Sequence, residues 1–260
     1  MERVVSLAIE RFRGWVESTQ DATLFTARAF ASMFRRPFYV RETLEQIHFA
    51  GIGSLFIVVI SAVVAGQALA LQLVRELALT GTKTELGHFM VISVVRALGP
   101  VLTGMVVASR MAAGITAELG AMRSSDQLDA LTAFGTDPVK RLVVPRILAI
   151  LIALPCLTVV ADALSILGGG MVGMAYQLPW ESYMNGVRRY MTPANITVGM
   201  LKPFFYSILI GTVATWKGFT SEGGARGVGV STTQSVVICI VGILIVDGIL
   251  TKFVFRMLGW

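Results

Sequence analysis

The stretch QIHFAGIGSLFIVVISAVVAGQALALQLV, residues 46–74, contains no formally charged residue. A helix of about 20 apolar residues is long enough to cross the hydrocarbon core of a bilayer. This stretch is longer, so it predicts a transmembrane helix that is tilted or that extends beyond the core. Ala62, Gly66 and Ala70 stand four residues apart within it. Small side chains at this spacing favour the close approach of a second helix.

The whole chain shares this apolar character. Of its 260 residues, 55% are hydrophobic and only 15% are charged, and the mean hydropathy is +0.72. Soluble domains carry about 25% charged residues. In lipid, only helices and closed barrels satisfy their backbone groups, and continuous apolar runs favour helices over alternating strands. The composition therefore predicts an all-α integral membrane protein.

Four further transmembrane spans are predicted along the chain. They cover about residues 86–109, 147–173, 196–216 and 232–252, and a glycine-rich loop at 217–231 separates the last two. Residues 1–45 are too polar to span, but Val5, Ile9 and Phe12 recur at helical spacing. This segment is predicted to form an amphipathic helix in the plane of the interface, or alternatively a helix that packs on a partner. Residues 46–260 are predicted to form the transmembrane domain.

A polar segment lies between the second and third predicted spans. It reads AELGAMRSSDQLDAL at residues 117–131 and ends with Asp137-Pro138-Val139-Lys140-Arg141. Its apolar residues have helical spacing, and Gly135 followed by Asp137-Pro138 is typical of a helix end. The pattern predicts one short helix over about 118–137. A charged helix held between two spans is well placed to be pushed by another protein, and the alternative is a helix that rests on lipid headgroups.

The net charge of +6 indicates membrane topology rather than nucleic-acid binding, because the basic residues flank the apolar runs. With the N-terminus inside, the inner segments hold 14 Lys and Arg residues and the outer segments hold six. The positive-inside rule then places the N-terminus, the 118–137 helix and the glycine-rich loop in the cytoplasm.

The sequence contains no recognisable catalytic constellation. It lacks the phosphate-loop pattern G-x-x-x-x-G-K-[ST], so the chain is not expected to hydrolyse ATP, and we predict that it is not an enzyme. His48 and His88 are isolated, and Cys156 and Cys239 each lie in an apolar run. We therefore expect no metal site and no disulfide bond.

Ionisable residues inside the predicted spans are energetically costly unless they are paired or hydrated. The guanidinium of Arg96 suits a phosphate group, and a structural ion pair or an interfacial position explains it equally well. Asp162 and Asp247 are expected to pair with basic residues, or else to line a hydrated cavity. Lys202 is expected to extend outward to the interface.

The ordered pattern at 96–138 resembles the MlaE family of ABC-transporter permeases. The resemblance rests on Arg96-Ala97-Leu98-Gly99-Pro100-Val101, on Arg110 and Gly114, and on residues 117–120, 122–123, 126–128, 130–131 and 137–138. It implies a homodimeric permease in the inner membrane of a Gram-negative bacterium. It also implies three partners: a cytoplasmic ATPase dimer that binds ATP and Mg²⁺, a STAS-domain protein, and a hexameric MCE-domain protein. The chain itself would need no cofactor.

By the same resemblance, the complex moves phospholipids between the inner membrane and periplasmic carriers and maintains outer-membrane lipid asymmetry. The implied lipid-binding residues are Arg96, Leu69, Gln72, Leu73, Glu76 and Leu77. The implied ATPase-coupling residues are Glu118, Met122, Arg123, Asp126, Gln127, Leu128, Leu131 and Asp137. The chain departs from the family twice, since Ala97 and Asp126 each stand where a glutamate is usual.

Two other classes of function fit the residues. A stand-alone secondary transporter or channel would use Arg96, Asp162 and Asp247 as an ion relay. A structural membrane anchor for other subunits would need none of these side chains for transport.

Overall fold

The computed structural model describes residues 20–33 and 39–258, and within these ranges all regular secondary structure is helical. Val5, Ile9 and Phe12 of the predicted interfacial helix lie outside the described residues. The helices are α1 (residues 20–33), α2 (Val40–Leu79), α3 (Lys83–Ser124), α4 (Gln127–Ala133), α5 (Val139–Ala175), α6 (Trp180–Tyr190), α7 (Pro193–Phe219) and α8 (Gly224–Leu258).

Five of these helices are long and apolar enough to cross a membrane, namely α2, α3, α5, α7 and α8. This confirms the prediction of an all-α integral membrane protein with five spans. The helices extend beyond the predicted apolar limits, because polar residues at a span's end can continue the same helix outside the hydrocarbon. As a result α2 begins at Val40, inside the segment that was predicted to lie at the interface.

The segment between α7 and α8 is much shorter than the predicted glycine-rich loop at 217–231. Helix α7 ends at Phe219 and α8 begins at Gly224. Gly223 and Gly224 have φ angles of 88° and 65° and therefore make the turn. At Gly227 an added Cβ would lie 1.6 Å from the carbonyl oxygen of Glu222. Gly227 therefore lies inside a helix, where its missing side chain lets the backbone approach the carbonyl oxygen of Glu222, and it does not belong to a loop.

The short helix between the second and third spans is present, but its predicted limits of 118–137 were wrong. Helix α3 continues to Ser124, and α4 covers only Gln127–Ala133. Between them Asp126 has a φ of 56°, a left-handed conformation that aspartate tolerates. The hydroxyls of Ser124 and Ser125 donate to carbonyl oxygens of the preceding turn, at 2.9 Å in each case. Such local bonds compete with helix continuation, so the helical pattern was interrupted where the sequence suggested continuity.

Helices α2 and α5 pack with their backbones very close together. A Cβ at Gly66 would lie 2.2 Å from the carbonyl oxygen of Ser165, and the Ser165 hydroxyl donates to the carbonyl oxygen of Ala62 at 2.9 Å. Ala62, Gly66 and Ala70 are all buried. The small residues therefore have the role that their spacing predicted.

Two spans contain a five-residue π-helical turn immediately before a proline. The turns are Val94–Leu98 in α3 and Val139–Val143 in α5, and they precede Gly99-Pro100 and Val144-Pro145. A proline has no N–H to donate to the carbonyl four residues earlier. The carbonyl oxygen of Arg96 instead accepts from Nζ of Lys202 at 2.7 Å.

Helix α1 lies across one end of the bundle. Phe25 packs on Phe219 with ring centroids 5.4 Å apart, and Ala29 is buried in a cluster with Val139 and Val143. This end also carries the α3–α4 junction, because α5 begins directly after α4. Helix α1 therefore contacts the end of α7 and the beginning of α5.

Candidate functional site

Arg96 lies in the π-helical turn of α3 and is partly buried. Its Nε donates to Oδ1 of Asn195 at 2.8 Å, and Nη2 donates to the same oxygen. Asn195 is 3% exposed and is fixed by its Nδ2, which donates to the carbonyl oxygen of Tyr190 at 2.6 Å. The Asn195 amide oxygen accepts from the guanidinium and fixes its orientation. The site can therefore present a positive charge of fixed orientation to an anionic group.

A buried ion pair supports the backbone beneath Arg96. Lys202 is 1% exposed, and its Nζ lies 2.7 Å from Oδ1 of Asp247 and 2.9 Å from Oγ1 of Thr251. The phenol of Tyr206 donates to the same Asp247 oxygen at 2.7 Å. The predicted pairing of Asp247 is confirmed, whereas the outward position expected for Lys202 was wrong. Lys202 points inward because the carboxylate and the carbonyl oxygen of Arg96 provide its acceptors.

Asp162 packs against the backbone of α3 just after the π-helical turn. A Cβ at Gly99 would lie 1.6 Å from Oδ1 of Asp162, so only glycine leaves room for the carboxyl group. This oxygen is buried and has no hydrogen-bond partner among the residues that the structure describes. The pairing expected for Asp162 is therefore not found in this part of the chain.

The structure divides the predicted lipid-binding residues of α2 into two groups. Leu69, Leu73 and Leu77 are half-buried against an apolar cluster that includes Val94 and Val95, the residues next to Arg96 in sequence. Gln72 and Glu76 are exposed instead and line a surface depression with Ala68, Leu71 and Arg75. The leucines are thus connected to the Arg96 region by packing, and the two polar residues face a different surface.

Helix α8 is the least covered of the five spans. In its most apolar window 11% of the residues are buried, compared with 50% in α7. Its large exposed apolar side chains are Val230, Val237, Ile238, Val241, Leu244, Ile245, Ile249 and Phe253, and its exposed charged residues lie near its two ends. A face of this size marks an interaction surface for lipid or for another membrane helix.

Three of the predicted coupling residues are buried or pair with residues outside the α3–α4 junction. Glu118 pairs with the buried Arg146 at 2.7 Å, Leu128 is 3% exposed, and Asp137 accepts from the backbone N–H of Val139 at 3.0 Å. Asp137 also pairs with Arg28 of α1 at 3.4 Å. These residues hold the α3–α4–α5 connection in place.

The remaining predicted coupling residues lie toward the surface of the connection. Arg123, Asp126 and Gln127 are exposed, Met122 and Leu131 are half-buried, and Arg123 pairs with Asp129 at 3.0 Å. Phe134, which the prediction omitted, has 86% of its surface exposed. A large apolar residue in an otherwise polar turn was the signal that could have identified it.

Sequence analysis also missed Asn195 and Tyr206 near Arg96. Asn195 follows Thr192-Pro193, a pattern typical of a helix beginning, and the Thr192 hydroxyl accepts from the N–H of Asn195 at 3.4 Å. That pattern locates the start of α7 but does not reveal that the amide faces α3.

Comparison with known proteins gives a consistent result. The family model described as Permease MlaE matches residues 43–253. A probable ABC transporter permease protein of Rickettsia felis is 34% identical over 244 residues, which is 93% of this chain and 94% of the relative. One from Synechocystis is 32% identical over 246 residues, 94% of each chain. Protein TRIGALACTOSYLDIACYLGLYCEROL 1, chloroplastic, of Arabidopsis thaliana is 35% identical over 220 residues, 84% of this chain and 63% of the relative.

These matches confirm the resemblance seen at residues 96–138 and extend it over almost all of the transmembrane helices. The Rickettsia and Synechocystis relatives are named as ABC transporter permeases, which agrees with five apolar spans and with a part in transport across or within a membrane. On this evidence the chain belongs to the MlaE family of permeases.

Proposed function

We propose that this chain is the permease subunit of an ATP-driven transporter that moves phospholipids. Two copies would assemble in the inner membrane of a Gram-negative bacterium, with a cytoplasmic ATPase dimer, a STAS-domain protein and a hexameric MCE-domain protein. The complex would exchange phospholipids with periplasmic carriers and maintain outer-membrane lipid asymmetry. Support comes from the ABC transporter permease names of the relatives and from one relative whose name is that of a galactolipid.

The observation that carries the proposal is the setting of Arg96. Its charge lies within a span, it is oriented by the neutral Asn195 amide, and its neighbours Val94 and Val95 join a leucine-lined apolar cluster. A guanidinium can hold a phosphate group through two parallel hydrogen bonds. An apolar wall beside such a cation matches the two chemical halves of a phospholipid.

The test compares Arg96→Lys with Arg96→Glu in proteoliposomes that contain the complete complex. We expect transfer of a fluorescent phospholipid to fall partly with lysine, which keeps a point charge, and to fall much further with glutamate, which repels phosphate. Arg189→Glu is the matched control, because Arg189 is an exposed cation outside the spans. Equal transfer by the parent and both Arg96 variants, each shown to be folded by its thermal unfolding, would contradict the role of Arg96.

The contact with the ATPase is proposed to involve the exposed surface around α4. Leu128→Asp is unsuitable as a test because Leu128 is buried, so we choose Phe134→Asp. The matched control is Leu79→Asp, since Leu79 is 84% exposed and lies at the other end of α2 from α1. We expect Phe134→Asp to reduce co-purification of the ATPase and Leu79→Asp to leave it unchanged. If both variants retained the ATPase equally, this surface would not be the contact.

A further inference from the structure

A membrane-facing groove runs between α7 and α8 and is bordered by α1 at one end. Its volume is about 590 Å³. Most of the lining is apolar, including Val213, Val237, Ile238, Val241 and Ile245. The two hydroxyls of the lining, Thr26 and Thr212, donate within their own helices at 2.7 Å each. Along most of its length the groove therefore offers hydrocarbon contacts.

One end of the groove has a different chemistry. Trp216 and Lys217 both line it, and Nε1 of Trp216 is buried without a hydrogen-bond acceptor among the described residues. Nζ of Lys217 lies 4.8 Å from the centroid of the Trp216 ring and donates to Oε1 of Gln234 at 3.0 Å. A buried N–H without an acceptor is costly. Within residues 20–33 and 39–258, this end thus offers no acceptor to Nε1 of Trp216, and it carries the Lys217 cation.

The length of the groove suits one leaflet of a bilayer. Along α8 the lining runs from Val237 to Ile245, a rise of about 12 Å at 1.5 Å per residue. Half of a typical hydrocarbon core is about 15 Å thick. An acyl chain that begins at the polar end would therefore extend along the whole apolar lining.

The polar end of the groove is separate from the Arg96 site. Lys202 bonds to the carbonyl oxygen of Arg96, whereas Trp216 lies 14 residues further along the same helix. At 1.5 Å per residue the two levels are about 21 Å apart. From this end the lining runs toward the level of Lys202, since Ile245 lies two residues from Asp247. A headgroup at the polar end would therefore lie at a different depth of the membrane from one held by Arg96, and only its acyl chain would approach that level.

We propose that this groove is a second phospholipid site, distinct from the transport site and occupied by a lipid of the adjacent leaflet. One acyl chain lies along α8, the phosphate meets the Lys217 ammonium, and an ester carbonyl accepts from Nε1 of Trp216. A lipid supplies both an anion for Lys217 and an acceptor for Nε1 of Trp216.

The test uses the full chain in nanodiscs, with Trp15, Trp180 and Trp260 changed to Phe so that Trp216 is the only tryptophan, excited at a wavelength that tyrosine does not absorb. Phosphatidylglycerol with brominated acyl chains is titrated against its unbrominated form, because bromine quenches a tryptophan that it contacts. We expect Trp216 fluorescence to be lost already at a low mole fraction of brominated lipid and then to reach a plateau, as at a saturable site. Each variant is normalised to its own fluorescence in unbrominated lipid.

Two further variants identify the groove. Lys217→Met and Val241→Phe, which remove the cation and fill the groove, should each shift the loss of fluorescence to higher brominated fractions. Ile249→Phe is the matched control, because Ile249 is exposed on α8 but does not line the groove, and it should behave like the parent. Loss in simple proportion to the brominated fraction in all variants would show ordinary annular lipid and overturn the proposal. Protection of Trp216 from quenching would show that another copy covers the groove, which would overturn it equally.

Discussion

At the residue scale, Lys202 and Asp247 form an ion pair at 2.7 Å in which the lysine is 1% exposed. Removing one partner of a buried pair leaves an uncompensated charge, at a cost of about 3–5 kcal/mol. We predict that Lys202→Met lowers the free energy of unfolding by this order, and that Lys202→Met/Asp247→Leu loses less. Equilibrium unfolding in detergent checks both values. A double variant as unstable as the single one would show that the charge itself is not the source of the loss.

Gly66 provides a second prediction at this scale. A Cβ at this position would meet the Ser165 backbone at 2.2 Å, and a backbone cannot move aside as a flexible side chain can. We predict that Gly66→Ala destabilises the chain by about 1–3 kcal/mol and lowers its thermal unfolding temperature. Gly248→Ala is the control, because nothing lies within 4 Å of a Cβ at Gly248. Equal unfolding temperatures for the two variants would contradict the close α2–α5 contact.

The role of a single residue could be predicted where the pattern lay within a few neighbouring positions of the sequence. The four-residue spacing of Ala62, Gly66 and Ala70 predicted a close helix contact, since the spacing alone places them on one face. The direction of Lys202 was not predictable, because it depends on Asp247, 45 positions away, and on a carbonyl oxygen released by Pro100. The cost of burying a charge favours an outward lysine, so an inward one can be predicted only when its acceptors have been located.

At the element scale, the π-helical turn Val94–Leu98 determines which face of α3 carries Arg96. We predict that Pro100→Ala restores an N–H for the Arg96 carbonyl oxygen and favours an ordinary α-helix, in which each residue turns by about 100°. Arg96 would then lie on another face, so phospholipid transport should fall while the thermal unfolding temperature changes little.

Pro145→Ala is the control for this prediction, because it alters the second π-helical turn, Val139–Val143, without affecting Arg96 directly. Its effect on transport should be smaller. If transport were unchanged in Pro100→Ala, the turn would not position Arg96.

The existence of each span could be predicted, because a long run without charge has few other stable forms in lipid. The ends could not, because polar residues at 83–85 and 117–124 continue the helices outside the apolar core. The break at Asp126 depends on side-chain bonds from Ser124 and Ser125 that composition does not reveal. The sequence therefore predicted which residues belong to the coupling segment. The structure was needed to show which of them make internal contacts and which are exposed.

At the scale of the whole molecule, the exposed side of α8 that does not line the groove predicts contact between two copies of the chain. Leu244 is 52% exposed. We expect Leu244→Cys, in a background with Cys156→Ser and Cys239→Ser, to form an intermolecular disulfide under mild oxidation in membranes. Non-reducing electrophoresis would detect the cross-linked dimer. Absence of any dimer from this position and from neighbouring exposed positions of α8 would contradict an α8-centred homodimer.

The backbone contact between α2 and α5 has a consequence for how the molecule can deform. Gly66 and Gly168 place each helix directly against main-chain oxygens of the other, with no layer of flexible side chains to absorb sliding. Close-packed interfaces of this kind have low compressibility and transmit displacement. A force applied at the start of α5 would therefore displace α2 and α5 together as one rigid unit. Bending would then occur in α8, the least covered of the five spans.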